Sequence, residues 1–356
     1  MRNIRVLIVD DSAQVCRILT KILNRAPGIE VVGAANDPYI VREKIRSLNP
    51  DVLTLDVEMP RMGGVSFLSN IMKVHPLPVV MVSSPTESGT DFTLEALENG
   101  AIDFVTKPKI ELAHALDEYA AEIIEKVRIA ADSKLRPRNR VELNVNSKNS
   151  ADAILQKHTH RQRKFRTTDK LIAIGASTGG TEAIKSILEV LPADCPGVVI
   201  TQHIPEAFSK PFSMRMDSIS AMTVCQAEDG QLILPGHVYI APGNEHLLVE
   251  AKGNKFVCRL NNGPTVNRHR PSVDVLFRSV AQNVGKNAIG VLLTGMGDDG
   301  ALGMEEMKQS NLITIAQDEA SSIVWGMPGE AVKRGCVDNV LSLSAIPKKL
   351  VAFGKN

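Results

Sequence analysis

The chain has 356 residues, of which 44% are hydrophobic and 23% are charged, and its formal net charge at pH 7 is +1. This composition is that of a soluble globular protein, and the near-neutral charge requires neither nucleic acid nor a membrane surface as a partner. The length exceeds that of one ordinary compact core, so two domains are expected.

The cysteines and the N-terminal sequence both favour a cytoplasmic protein. Asp10 and Asp11 stand where a signal peptide would continue its apolar stretch, and no apolar run is long enough to span a bilayer. We therefore expect no membrane insertion. The five cysteines form no C-x-x-C pair, which is typical of a reducing compartment. They are Cys16, Cys195, Cys225, Cys258 and Cys336.

Residues 1–128 alternate short apolar runs with segments of helical periodicity, as in Val15, Ile18, Leu19 and Ile22. Five such strand–helix units predict a flavodoxin-like domain with a five-stranded parallel sheet covered by helices on both faces. Sheets of this kind bind ligands at the carboxyl ends of their strands. The predicted strands lie at 4–9, 29–35, 51–56, 78–84 and 101–108.

Acidic side chains follow two of these predicted strands. Asp10 and Asp11 follow the first strand and Asp56 ends the third, so three carboxylates should converge where a Mg²⁺ ion would relieve their repulsion. Ser83 and Lys107 end the fourth and fifth strands. The set suits phosphoryl transfer to Asp56. Each residue also has a simpler interpretation, since an aspartate at a strand end often only caps a helix and Lys107 could be a surface residue.

The stretches "VLIVDDS", "LTLDVEMP", "VVMVSS" and "GAIDFVTKP" resemble the receiver domain of two-component response regulators. The resemblance implies that a histidine kinase phosphorylates Asp56 and that Asp10 and Asp11 hold Mg²⁺ beside it. It also makes Phe104 the switch aromatic. Gly63 departs from the aspartate that many receivers carry there, but it lies in a loop beyond the phosphorylation site and leaves the chemistry untouched.

Residues 129–168 are rich in lysine and arginine and poor in apolar residues, which predicts a basic flexible linker. Its basic side chains could also bind nucleic acid, an anionic membrane or an acidic protein face. A second alternation of apolar runs and helical patterns extends from residue 169 to residue 356. It predicts a doubly wound α/β domain with a mostly parallel sheet, and the Gly-, Pro- and Asn-rich residues 222–262 predict an inserted β-hairpin region.

The stretch "IAIGASTGGTEAIKSIL" joins a predicted strand to a predicted helix. Ser177 stands where a dinucleotide fingerprint needs its second glycine, and no G-K-[ST] follows to make a P-loop. The residues from Gly175 to Gly179 do match G-x-S-x-G, the tight turn that exposes a nucleophilic serine. The pattern alone is weak, because serine is also common as a helix cap.

A nucleophilic serine needs a base and an acid that orients the base. Of the eight histidines, His203 in "VVITQHIP" directly ends an apolar strand, and "VLLTGMGDDGA" offers Asp298 and Asp299 in a glycine-rich turn. His203 could instead be a structural residue, and the two aspartates could serve only the turn. The order Ser…His…Asp differs from that of α/β-hydrolases, which predicts a different fold with similar chemistry.

The motifs "IGASTGGTEAI", "ITQHIP", "PSVDVLF", "LLTGMGDDGA" and "QDEASSIVWGMPGEAV" closely resemble the catalytic domain of chemotaxis protein-glutamate methylesterases. The resemblance implies a triad of Ser177, His203 and Asp299, with the backbone N–H of Met296 in the oxyanion hole. The N–H of Thr178 is a further candidate, since it follows the nucleophile.

The family resemblance implies an enzyme that hydrolyses glutamate methyl esters on methyl-accepting chemotaxis receptors and deamidates receptor glutamines, with no cofactor for the esterase reaction. It also implies that the unphosphorylated receiver limits access to the active site and that phosphorylation relieves this inhibition. Three competing functions stay open from the residues alone. They are a DNA-binding output, which would need a basic recognition helix, a non-catalytic output and a nucleotide-binding enzyme.

Overall fold

The computed structural model describes residues 3–36, 38–59, 63–84, 86–107, 113–133, 149–157 and 169–355. The chain divides into two compact units, residues 1–141 and 142–356. Both are α/β units, and in each of them the strands of the main sheet are parallel.

The first unit has a five-stranded parallel sheet in the order β2-β1-β3-β4-β5, which confirms the predicted flavodoxin-like fold. The strands β3 and β4 are buried along their whole length because both faces of the sheet are covered. The strands are β1 Ile4–Val9, β2 Ile29–Ala35, β3 Val52–Asp56, β4 Val79–Ser83 and β5 Asp103–Thr106, and the helices are α1 Ala13–Arg25, α2 Pro38–Leu48, α3 Gly64–Val74, α4 Glu87–Glu98 and α5 Ala113–Asp132.

The register of this sheet brings the acidic residues to one edge. Val9 pairs with Leu55, so Asp10 and Asp56 follow at the same level of adjacent strands. The chain then turns into α1, whose N-cap Ser12 accepts a hydrogen bond from the N–H of Val15 at 3.3 Å. The final helix α5 continues to Asp132, past the predicted domain boundary at residue 128.

The second unit has a seven-stranded sheet in the order β14-β13-β12-β6-β7-β9-β8, with a separate antiparallel hairpin of β10 and β11. The predicted doubly wound domain and its inserted hairpin are therefore confirmed. The strands are β6 Leu171–Ala176, β7 Gly197–Gln202, β8 Thr223–Gln226, β9 His237–Ile240, β10 His246–Lys252, β11 Lys255–Asn261, β12 Ala288–Leu292, β13 Ile313–Gln317 and β14 Asn339–Leu341. The helices are α6 Gly180–Leu188, α7 Glu206–Ile219, α8 Val273–Asn283, α9 Ala301–Gln309, α10 Met327–Lys333 and α11 Ile346–Lys355.

The strand order of the second unit reverses at β6. The chain passes from β6 to β7 on one side and later returns to β12 on the other side. Gly175 is level with Leu292 on β12 and with Thr201 on β7, so the carboxyl ends of all three strands meet. Such a switch point is where open α/β sheets bind ligands.

A short segment of the predicted linker packs against the second unit. Residues 149–157 include a 3-10 turn at Ala151–Ala153, and the guanidinium of Arg278 on α8 donates to Oδ1 of Asp152 and to the carbonyl of Leu155, both at 2.8 Å. Arg278 is buried and needs such partners for its charge. The linker prediction for 134–148 and 158–168 lies outside the described residues.

Across the part of the chain that the structure describes, no helix combines the length and the apolar character needed to cross a bilayer.

Candidate active site and carboxylate pocket

Ser177 lies in a tight turn between β6 and α6. The N–H of Gly180 donates to the carbonyl of Ser177 at 2.7 Å, and Gly179 adopts φ +75° at the start of the helix. A Cβ atom on Gly179 would also lie 2.9 Å from Ile323. The turn therefore requires glycine at this position, which is the physical content of the G-x-S-x-G pattern.

His203 follows β7 and connects two of the predicted residues. Its Nδ1 lies 3.0 Å from Oγ of Ser177, and its Nε2 lies 2.7 Å from Oδ2 of Asp299. A carboxylate only accepts hydrogen bonds, so Nε2 carries the ring proton and Nδ1 is free to accept one from the serine hydroxyl. The three residues predicted from three strand ends thus form one continuous hydrogen-bond chain.

Gln202 holds the ends of β6 and β7 together and was not among the predicted site residues. Its Nε2 donates to the carbonyls of Ser177 at 3.0 Å and His203 at 3.1 Å. The backbone N–H of His203 also donates to the carbonyl of Ala176 at 3.1 Å. These bonds fix the spacing between the serine and the histidine. The position of Gln202, a polar residue at the end of a buried strand, is the sequence feature that could have indicated its role.

Asp299 is 1% exposed and accepts five hydrogen bonds. Burial raises its pKa, but the hydrogen bond and charge of His203 and the charge of His269 outweigh burial and hold the pKa below its usual range. The carboxylate is therefore ionised at neutral pH. Its donors are His203 Nε2, the backbone N–H groups of Val273 and Asp274 at the start of α8, the Ser272 hydroxyl and the Asn267 amide.

The ring of His269 stacks on the ring of His203, with centroids 3.6 Å apart and planes inclined by 13°. The contact restrains the plane of the His203 imidazole. His269 was not a predicted site residue, because it lies in a turn-like segment. Nothing in the local pattern of "NRHRPSVD" indicated that this turn reaches the active site.

The two oxyanion candidates lie beside the serine. The N–H of Ser177 donates to the carbonyl of Thr294 at 3.1 Å, and the half-buried Met296 follows two residues later. Among the described residues, none accepts a hydrogen bond from the N–H of Met296. The carbonyl of Thr178 accepts from the Thr294 hydroxyl at 3.0 Å. Asp298, the other acid of this turn, accepts at its carbonyl from the N–H of Ala301.

In the first unit, Asp10, Asp11 and Asp56 each offer a carboxylate oxygen, and these atoms all lie within 4.8 Å of one another. Nζ of Lys107 lies 2.8 Å from Oδ2 of Asp56 and 3.3 Å from Oδ2 of Asp10. Both Oδ2 atoms are buried, and the ammonium of Lys107 faces both of them. Three carboxylates with spare oxygen atoms are a donor set that fits a hard divalent cation.

The electrostatics of this pocket follow from burial and crowding. Burial raises the pKa of Asp56 to about 6, although the hydrogen bond from Lys107 lowers it. Burial also raises the pKa of Asp10. Burial opposes the charge of Lys107, but its hydrogen bond with Asp56 and the two carboxylate charges outweigh burial and raise its pKa. One ammonium group therefore does not fully relieve the repulsion between two buried carboxylates.

The remaining predicted receiver residues lie on β4 and β5. Ser83 is buried, and its hydroxyl donates to the carbonyl of Gly89 at 3.1 Å, in the first turn of α4. Phe104 is 4% exposed, and Nζ of Lys126 lies 5.1 Å from the centre of its ring. Both side chains face the interior of the first unit.

The fold and the two sites define a protein with a receiver-like carboxylate pocket on one unit and a serine-hydrolase-like hydrogen-bond chain on the other. Residues 6–117 match the family model of the response regulator receiver domain, and residues 172–350 match that of the CheB methylesterase. The chain belongs to the CheB methylesterase family. This membership argues against a DNA-binding output and a nucleotide-binding enzyme.

Relatives align with almost the entire chain. This chain is 55% identical to protein-glutamate methylesterase/protein-glutamine glutaminase 1 of Geobacter metallireducens, over 98% of this chain and 96% of the relative. It is 56% identical to the protein-glutamate methylesterase/protein-glutamine glutaminase of Hydrogenovibrio crunogenus, over 100% of both. The crystal structure of the Thermotoga maritima CheB methylesterase catalytic domain shares 40% identity, covers 51% of this chain and 97% of its own, and has a TM-score of 0.51.

Proposed function

We propose that this chain is a phosphorylation-regulated serine hydrolase of bacterial chemotaxis. It removes methyl groups from glutamate methyl esters on chemoreceptors and deamidates receptor glutamines. The observation that carries the proposal is the hydrogen-bond chain from Ser177 through His203 to Asp299, in a domain that belongs to a methylesterase family.

The chemistry begins with proton transfer from Ser177 to Nδ1 of His203 as Oγ attacks the ester carbonyl. The backbone N–H groups of Met296 and Thr178 stabilise the oxyanion. The tetrahedral intermediate collapses, the ester C–O bond breaks, and methanol leaves with the proton from Nδ1. Water then attacks the acyl-enzyme with the same assistance and releases the glutamate carboxylate. With a glutamine substrate the leaving group is ammonia.

Asp299 holds the imidazole in the tautomer with its proton on Nε2 and stabilises the imidazolium that forms during attack. Its lowered pKa keeps it ionised throughout this step. The five donors around it fix the direction of the carboxylate, so the ring of His203 is oriented before substrate binds.

The receiver unit accepts a phosphoryl group on Asp56 from a histidine kinase. Asp10, Asp11 and Asp56 would hold Mg²⁺, which neutralises charge on a transferred phosphoryl group when bound. Lys107 binds a phosphoryl oxygen, and Ser83 turns its hydroxyl from Gly89 toward the same group. Phe104 changes its position in response to the phosphorylation of Asp56.

Phosphorylation of Asp56 relieves inhibition of the esterase by the receiver. It shifts the population from a conformation with restricted access to the active site toward one with open access. The receptors are the protein substrates, and the kinase and the receptors are the expected partners. We place the enzyme in the cytoplasm, where its cysteines, which are free in the described residues, would stay reduced.

The test is methanol release from methylated receptor membranes, with and without Mg²⁺ and a small phosphodonor. Ser177→Ala should lower release by more than about a thousandfold, whereas Ser186→Ala, which removes an exposed hydroxyl from α6, should leave it unchanged. Wild-type release that rises with the phosphodonor supports both halves of the proposal. No release from the wild type would contradict the esterase function, and full release from Ser177→Ala would contradict the nucleophile.

A further inference from the structure

The side-chain amide of Asn267 lies between two buried carboxylates. Its Nδ2 is 2.8 Å from Oδ1 of Asp299 and 2.7 Å from Oδ2 of Asp274. Asp299 is 1% exposed and Asp274 is 2% exposed. An amide nitrogen carries two hydrogens, so Asn267 donates one to each carboxylate and bridges them.

The backbone fixes the position of this amide. Val266 and His269 exchange two backbone hydrogen bonds of 3.0 and 2.8 Å around the intervening pair. Asn267 and Arg268 both have positive φ, +51° and +72°, as a type I′ turn requires. Asparagine is one of the few residues that tolerate this conformation. The N–H of Asn267 also donates to the carbonyl of Asn149 at 3.0 Å.

The two carboxylates have different environments. Asp299 keeps its charge because His203 and several other donors stabilise the anion. Burial and the charge of Asp299 raise the pKa of Asp274 to about 7, although the N–H of Gly303 on α9 donates to it at 2.7 Å. His203, His269 and Asp298 are the other charged or titratable groups that act on the pair. A donor between two such carboxylates reduces their repulsion without adding a formal charge.

We propose that Asn267 is a positioning residue of the esterase, which holds Asp299 so that its Oδ2 points at His203, while Asp274 anchors the amide from the other side. The inference rests on the proposed triad. Asn267 does not contact the reacting atoms, and it acts through Asp299. The hydroxyl of Ser272 and two backbone N–H groups also hold Asp299, so loss of the amide should weaken catalysis without abolishing it.

Asn267→Gly removes the amide and retains a residue that adopts positive φ without strain. In the full chain activated by phosphodonor, we expect kcat for methanol release to fall about ten- to a hundredfold, as for loss of a charge-assisted hydrogen bond, with KM unchanged. Asn311→Gly is the matched control, because Asn311 also has positive φ, +61°, and is exposed after α9. It should retain wild-type kcat.

Asn267→Asp tests the electrostatic part of the proposal. Ionised, the new carboxylate repels Asp274 and Asp299, and protonated, it can donate to one of them. The ratio of kcat in Asn267→Asp to kcat in Asn267→Gly should therefore rise as the pH is lowered from about 8 to about 6. Any pH dependence that the two variants share largely cancels in this ratio.

Thermal unfolding of each variant is measured beside the kinetics. If Asn267→Gly does not fold, the ratio is taken between Asn267→Asp and the wild type instead. Wild-type kcat in Asn267→Gly would overturn the proposal. So would a loss of kcat with a pH-independent ratio, which indicates a purely structural role. Ser177→Ala is measured beside them: if it retains methanol release, the proposed triad is at fault rather than the role of Asn267.

Discussion

Oδ2 of Asp299 lies 2.7 Å from Nε2 of His203, and this contact decides which nitrogen of the ring serves the serine. Because Nε2 carries a proton toward the carboxylate, Nδ1 accepts from Ser177. Chymotrypsin-like triads use the two nitrogens the other way round. The chemistry needs only one protonated and one unprotonated nitrogen in line with the acid and the nucleophile, so both arrangements serve it.

Asp299→Asn should lower kcat for methanol release by about a thousand- to ten-thousandfold, with a smaller effect on KM. An asparagine amide can donate to Nε2, which would move the ring proton to Nδ1 and remove the acceptor for Ser177. Steady-state kinetics on methylated receptor membranes measure the effect.

Asp298→Asn is the control for that substitution, because it removes the neighbouring charge in the same turn. We expect kcat to change by less than about tenfold, since the contacts of His203 with Ser177 and Asp299 are unaffected. If Asp298→Asn causes the larger loss, the assignment of the second acid is wrong.

Gly295→Ala should damage catalysis as well as stability. A Cβ atom at this position would lie 2.8 Å from Cβ of Ser177 and 2.3 Å from Sδ of Met327. We expect the free energy of unfolding to fall by about 1–3 kcal/mol, as for other overpacked sites, and kcat to fall at least about tenfold because the side chain of Ser177, the proposed nucleophile, is displaced.

Gly290→Ala on β12 separates these two effects. Its Cβ atom would meet the flexible ends of Met307, with Sδ at 2.7 Å, and would not touch Ser177. It should lower stability with little change in kcat, measured by chemical unfolding and methanol release. Equal losses of kcat in both variants would refute the steric explanation.

Asp274→Asn should change how stability depends on pH. The pKa of Asp274 in the folded chain is about 7, against about 4 in an unfolded chain. Between these values the folded state retains a proton that the unfolded state has lost, so this group's contribution to the free energy of unfolding falls as pH rises.

The variant lacks this titration, so its stability relative to the wild type should improve by up to a few kcal/mol between about pH 4 and about pH 7, at roughly 1.4 kcal/mol per pKa unit. Denaturant unfolding of both proteins at several pH values measures it. A difference that stays constant across this range would contradict the raised pKa.

Asp56→Asn should leave basal methanol release intact and remove its stimulation by a phosphodonor, because the proposed phosphoryl acceptor is lost. Glu30→Gln removes an exposed carboxylate from the same unit and should retain stimulation. Chelation of Mg²⁺ should act on the wild type as Asp56→Asn does. Clear stimulation of Asp56→Asn would show that the switch uses another acceptor.

The sequence by itself determined the strands, the helices and the polar side chains at the strand ends. Apolar runs of strand length alternating with helical periodicity are sufficient to predict parallel sheets, and in parallel sheets the strand ends meet at one edge. That is why Asp10, Asp56, Ser177, His203 and Asp299 could be selected from their positions after buried strands.

Only the tertiary structure decided how Asp299 is held and which nitrogen of His203 it engages. Asn267, His269 and Asp274 reach the site from a turn and a helix start distant in the chain, and no local periodicity encodes a contact of that kind. It depends on the packing of the hairpin and α8 against the sheet, which is set by the whole domain. For the same reason the sequence indicated a flexible linker where the buried charge of Arg278 engages Asp152.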